Sequence, residues 1–283
     1  SRDLLVIGGQ VKVADLSRGK LRQRGIQEID GIALTKSITK LSKLIEEPVS
    51  SQDLSAYINI GISQRKGPIF LELPLDVQAR QIDETVFANG ISRENISPAI
   101  AQSDDISTVV NLIKTSKRPM FLLGGGVSRR AMNAILPFLK NLSVPFQTTW
   151  NASDRIGAEN PLYFGRPNTW GQRYANILMQ QSDCLIAIGT RLSIQQTGFN
   201  WQQFVPTGKV VQVECDESEL NKNHPDVDHK FCCDANDFLT KVVQNDLGNH
   251  EEWLSFCNNV KNTLPLNEKQ SNPVGEQYIS SYA

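Results

Sequence analysis

The stretch PMFLLGGGVSRRAMNAILPFLKNLSVPFQTTW, Pro119 to Trp150, decides the fold. PMFLLGGG (119–126) is an apolar run entering three glycines, the pattern of a buried strand that stops in a turn. AMNAILPFLKNL (131–142) reads as a helix and VPFQTTW (144–150) as the next strand. Strand, glycine turn, helix and strand in that order make a parallel α/β unit. The same texture runs outward in both directions. YANILMQQS (174–182) is a helix, CLIAIGTRL (184–192) and KVVQVECD (209–216) are strands, and ANDFLTKVVQ (235–244) is a further helix. Upstream, DDISTVVNLIKTS (104–116) is an amphipathic helix capped near Ser103 or Asp104.

Residues 79–103 are polar and aperiodic, contain Pro98, and read as a linker. Before them, LLVIGG (4–9) and IALTKSIT (32–39) are strand candidates. SSQDLSAYINIGISQR (50–65) is a helix with Ser51 or Asp53 as N-cap, and IFLELPL (69–75) is a strand closed by proline. The expected architecture is α/β. A doubly wound, Rossmann-like parallel sheet of about six strands, helices on both faces, spans 104–245. An incomplete α/β lobe (1–78) precedes it, and 246–283 reads as a second linker. Such a lobe leaves a sheet edge and apolar faces uncovered. LLVIGG begins with no lead-in and PVGEQYISSYA (273–283) ends without a capping signal, so a truncated chain is expected.

Composition excludes some classes. The chain has 283 residues, 40% hydrophobic and 21% charged, with net charge −1. No basic excess points to nucleic acid or an anionic membrane. No apolar run approaches the ~20 residues that span a bilayer. The cysteines, Cys184, Cys215, Cys232, Cys233 and Cys257, are odd in number and form no C-x-x-C, which fits reduced cytoplasmic thiols rather than a disulfide framework or zinc site. His224, His229 and His250 sit among polar residues and read as solvated; no third ligand joins His224 and His229, and no metal site is expected.

Ligands of an open parallel sheet sit beyond the carboxyl ends of its strands. Gly124, Gly125 and Gly126 allow close backbone approach and offer N–H groups ahead of a helix, which suits phosphate. Thr148 and Thr149, then Gly189, Thr190 and Arg191, then Glu214 and Asp216 end the other strands. Arg191 suits a phosphate, and a carboxylate there suits ribose hydroxyls. The glycine triplet is equally the signature of a tight turn; it is neither G-x-G-x-x-G nor a P-loop. G-x-S-x-G and H-E-x-x-H are absent, as is Gly-Asp-Gly with a following Asn. A nucleotide-handling module of sirtuin type is an alternative, but it requires a four-cysteine zinc site that is missing.

The order of words goes further. GGQV (8–11), IQEID (26–30), Thr39-Lys40 and RKGPIFLELPLDVQ (65–78) resemble the end of the pyrimidine-binding domain of acetolactate synthases, thiamine-diphosphate-dependent enzymes. RPMFLLGGGV, VPFQTTW, GRPNTWGQRYAN (165–176), SDCLIAIGTRL and VVQVECDESELNKN (210–223) resemble that family's central domain. The resemblance implies a transferase that decarboxylates a 2-keto acid and joins the product to a second carbonyl, using thiamine diphosphate and Mg2+. A decarboxylase or lyase on the same scaffold is the alternative. It also implies a cytoplasmic homodimer or homotetramer, with the activating glutamate and the diphosphate motif outside this chain, so that the chain alone is inactive.

By the same resemblance, Gln27 matches a glutamine beside the thiamine cofactor. Ile26 stands where the family has phenylalanine, and Leu75 where many members have lysine near the substrate. The family's central domain holds FAD. Arg65, Gly124, Gly125, Gly126, Thr149, Gly189, Arg191, Glu214, Glu219 and Asp234 fall on positions matching that site. Ser193 and Gln195 replace an aspartate and an arginine, and a Met-His pair is replaced within GRPNTWG. Weakened FAD binding, or another nucleotide, is therefore expected.

Overall fold

The computed structural model describes residues 2–83, 85, 90–92 and 99–264. They form two compact units, Ser1–Pro98 and Ala99–Ala283. The division falls inside the stretch read as a linker.

In the first unit three parallel strands lie in the order β1-β3-β2: β1 is Leu4–Gln10, β2 Leu41–Leu44 and β3 Pro68–Pro74. Leu4 pairs with Pro68 and Leu41 with Ile69. Helix α2, Ser51–Ile62, starts at Ser50, one residue before the expected cap. Ser50 and Asp53 close a reciprocal capping box. Leu71 of β3 and Ile45 are buried together with Val77, in the short helix α3 (Leu75–Gln78), while Leu54 and Tyr57 of α2 pack against them. IALTKSIT is not a strand. Gly31–Thr35 is helix α1, because Asp30 accepts the Ala33 N–H at 2.8 Å and Thr35 returns its hydroxyl to the Gly31 carbonyl at 2.7 Å. On β1, Leu4, Leu5, Val6 and Ile7 are all exposed, and among the described residues β1 pairs only with β3.

The second unit carries a five-stranded parallel sheet, one strand fewer than expected, in the order β5-β4-β6-β7-β8. The strands are β4 Pro119–Leu123, β5 Phe146–Thr148, β6 Cys184–Ile188, β7 Lys209–Glu214 and β8 His229–Cys232. Side chains alternate between the two faces, as the pleat requires. Phe121, Leu123, Ile186, Ile188, Val211 and Val213 pack with α4 (Ser103–Thr115), α5 (Arg129–Leu139) and α9 (Ala235–Val243). Met120, Leu122, Leu185, Ala187 and Val210 pack with α6 (Arg173–Gln181) and α10 (Glu251–Thr263). Helices therefore cover both faces, and the fold is doubly wound. Helix α10 lies in the stretch read as linker; its Trp253 and Cys257, one turn apart, are buried, and the Trp253 indole donates to the Pro119 carbonyl at 3.0 Å. His250 is buried rather than solvated, with its ring 2.9 Å from the Leu247 carbonyl. Two short helices, α7 (Ile194–Thr197) and α8 (Glu217–Leu220), complete the unit.

Candidate functional site

The chain leaves β4 toward β5 on one side and returns to β6 on the other. The switch point of the sheet thus lies between the carboxyl ends of β4 and β6, where doubly wound folds place ligands. Gly124–Gly126 follow β4 and Gly189 follows β6, so the structure brings these four residues together. They pack turn against turn. The Gly124 N–H donates to Ile188 O at 2.8 Å, and the Gly126 N–H to Gly189 O at 3.0 Å. A Cβ on Gly124 would lie 2.1 Å from the Gly189 oxygen, and one on Gly126 2.8 Å from the Gly189 Cα. Gly189 itself has φ +64°, a conformation that favours glycine.

This packing takes up donors that the sequence reading offered to a ligand. The Val127 N–H goes to Gly124 O at 3.1 Å and the Ser128 N–H to Asn236 Oδ1 at 2.7 Å. Four of the N–H groups in this turn are therefore spent within the protein, and the glycines serve close approach of two backbones. Asn236 is a site residue that sequence reasoning missed. Asp234 caps α9 through the Asn236 and Asp237 N–H groups, both at 2.9 Å, and so fixes the side chain that ties α9 to the glycine turn.

The other strand ends sit around this contact. Thr149 donates its N–H to Leu123 O at 2.9 Å, and Gly125 faces Asn151. Arg191 stands 3.6 Å from Glu219, whose second oxygen takes Lys222 at 3.0 Å; Lys222 also donates to the Arg191 carbonyl. Glu214 is buried, and its carboxylate accepts from the Cys215 N–H at 2.9 Å and from the Cys215 thiol at 3.2 Å. Burial, with Glu214 behind it, pushes that thiol up to about 12. Among the described residues no group of three or more His, Cys, Asp or Glu is placed to hold a metal ion.

Gln27 and Arg65 belong to the first unit. Arg65 is half-buried between α2 and β3. Gln27 is exposed at φ +59°, next to Ile26, which is 90% exposed. Its neighbour Glu28 is the second residue missed. The Glu28 carboxylate is buried and accepts the Ser17, Arg24 and Gly25 N–H groups at 2.5, 2.8 and 3.0 Å. Those donors hold it at about 2. One carboxylate thus closes the whole excursion between β1 and α1 and fixes its tip at Ile26 and Gln27. On β3, Glu72 is buried against Gly31, and burial raises its carboxyl above the usual range.

Residues 106–242 match the family model for the central domain of thiamine pyrophosphate enzymes. A probable acetolactate synthase large subunit of Methanococcus aeolicus is 29% identical over 273 residues, 89% of this chain and 45% of that protein. Across residues 106–242 the chain is similar to the thiamine-diphosphate-dependent enzymes, and along most of its length to acetolactate synthase large subunits. The acetolactate synthase large subunit of Corynebacterium glutamicum is 27% identical over 98% of the chain and 45% of its own length. The isozyme 1 large subunit of Escherichia coli is 28% identical over 85% and 41%. The chain thus spans about half the length of the curated relatives it matches. All five strands of the second unit's sheet fall inside the residues matched to that central-domain model, and the same relatives match the first unit as well.

Proposed function

We propose that the complete protein is a cytoplasmic, homo-oligomeric carboligase that decarboxylates a 2-keto acid and transfers the product to a second keto acid. The observation that supports this most is the ordered match to acetolactate synthase large subunits along 85–98% of the chain. Thiamine diphosphate, when bound with Mg2+, supplies the electron sink that such a decarboxylation needs. This chain's part is positional. Gln27 fits a role beside the cofactor because its amide is presented to solvent at the tip of a loop that Glu28 closes from inside. The exposed Ile26 and Leu75 offer apolar surface where the family resemblance has an aromatic ring and a lysine, which favours an apolar side chain on the substrate.

The strand-end residues fit FAD poorly. A dinucleotide diphosphate needs open donors, and here four N–H groups of the glycine turn already have partners inside the protein and Arg191 stands beside Glu219. The function is therefore assigned without a flavin step. The test is acetolactate formation from pyruvate with thiamine diphosphate and Mg2+. The 283-residue chain alone should give none above background. The full reading frame that carries it should give a product that disappears when thiamine diphosphate is withheld. Activity from the chain alone, or cofactor-independent activity from the full protein, contradicts the proposal.

A further inference from the structure

The carboxyl ends of β7 and β8 carry three of the chain's five cysteines, Cys215, Cys232 and Cys233, and the proposed reaction uses none of them. Glu214 and Cys232 stand opposite each other in the parallel ladder, so their side chains leave the same face of the sheet. The chain bends at Cys215, the next residue. Its N–H, at 2.9 Å, and its thiol, at 3.2 Å, both turn back to the Glu214 carboxylate. The Cys215 sulfur is thereby drawn toward the face on which Cys232 lies. Cys233 leaves the other face and is buried in the cluster that holds Val211, Val213 and Phe238. Parallel strands lie about 4.8 Å apart and rise about 3.3 Å per residue. That puts the Cα atoms of Cys215 and Cys232 about 6 Å apart, inside the roughly 4.4–6.8 Å that a disulfide spans. Cys232 is exposed and Cys215 half-buried, so a small oxidant reaches the pair.

We propose that Cys215 and Cys232 are a redox-active dithiol that hydrogen peroxide closes to a disulfide, clamping the edge strand β8 to β7. The exposed Cys232 reacts first. Its thiolate attacks one peroxide oxygen, the O–O bond breaks, hydroxide leaves, and the sulfur becomes a sulfenic acid. The Cys215 sulfur then displaces that hydroxyl and gives up its proton. The two sulfurs lose two electrons and two protons, and the peroxide becomes two waters. Burial, then Glu217, Asp216 and Glu214, raise the Cys232 thiol, and burial with Glu214 raises Cys215. Thiolates are scarce at neutral pH and closure is slow there, whereas the disulfide carries no charge for these carboxylates to oppose. In a reducing compartment the bond reopens, so it is a transient state and not a structural staple.

Thiol counting after treatment of the folded chain with a slight excess of peroxide, followed by denaturation, tests this. The count of five should fall by two, and dithiothreitol should restore it. Between pH 7 and 8.5 the rate should rise about tenfold per pH unit, because the Cys232 thiol titrates above that range. Mass spectrometry of a tryptic digest should join residues 210–222 to 231–241, and fragmentation should place the bond on Cys232. Cys215→Ser should not form an intramolecular bond, and Cys233→Ser should close at the parent's rate. Should Cys233→Ser fail to fold, the fragment map of the parent chain decides alone. Closure should also raise the urea midpoint of the second unit, read by tryptophan fluorescence, by about 1 M. The proposal is overturned if the count falls by any number other than two, or if the bond lies on Cys233 or between two copies. A rate that ignores pH, or a midpoint that fails to rise, would overturn it as well.

Discussion

Replacing Gly124 with alanine tests the turn-on-turn packing at the switch point. The new Cβ would lie 2.1 Å from the Gly189 oxygen and 2.5 Å from its carbonyl carbon, both backbone atoms that no rotamer change can move. The β6 turn must retreat. That costs about 1–3 kcal/mol as overpacking. Retreat also stretches the Gly124–Ile188 and Gly126–Gly189 hydrogen bonds, each worth about 1 kcal/mol net. The sum is about 3–5 kcal/mol. All four tryptophans lie in the second unit, so intrinsic fluorescence follows that unit alone. With a urea slope of about 2 kcal/mol/M, the midpoint should fall by about 1.5–2.5 M. Gly157 is the control, because a Cβ there meets nothing within 4 Å, and alanine should change stability by no more than about 0.5 kcal/mol. If Gly124→Ala and Gly157→Ala unfold at the same urea concentration, the glycines are not there for close approach and the reasoning fails.

Four further outcomes are expected. Asp234→Ala removes the cap of α9 and frees Asn236, so the second unit should lose about 0.5–2 kcal/mol by the same fluorescence assay. Glu28→Gln should loosen the backbone of the loop that carries the exposed Arg18, Lys20, Arg22 and Arg24, and limited trypsin digestion there should speed up markedly relative to the parent chain. Because the Glu28 carboxyl is lowered from 4.5 to about 2 in the folded chain, its contribution is complete above pH 4.5 and is lost as pH falls from there toward 2; protection of the Ser17, Arg24 and Gly25 amides from exchange should follow that window. Among the thiols, Cys232 is exposed while Cys184, Cys233 and Cys257 are buried, and burial pushes Cys184 up to about 11 and Cys233 to about 12. A disulfide reagent at pH 8 should therefore modify Cys232 first, with the buried thiols reacting only on unfolding.

What the sequence reveals depends on whether a signal is local. The apolar runs at 119–123 and 184–188 read as strands because both faces of the sheet are covered, so every residue is apolar. His229–Cys232 is half polar, lies at the sheet edge and, among the described residues, pairs only with β7, so its strand is invisible without its partner. IALTKSIT looks extended because of its β-branched residues, yet Asp30 and the Thr35 hydroxyl turn its start into a helix. The buried pair Trp253 and Cys257 at i, i+4 was the available sign of α10. At the site, the placement of the strand-end residues was legible from topology. The purpose of the glycines was not, because it depends on Gly189, more than sixty positions away. Glu28 stood beside the residue that the family pattern singled out, but its three donors come from a loop without periodicity.

The most direct test of the assignment is the fate of pyruvate labelled with 13C at C2, followed by NMR in the presence of the full protein that carries this chain, thiamine diphosphate and Mg2+. The proposed carboligase should convert the label into acetolactate, with two labelled carbons bonded to each other and showing mutual coupling. Label recovered only in acetaldehyde, with no coupled carbons at any time, would make the protein a decarboxylase on the same scaffold and contradict the assignment.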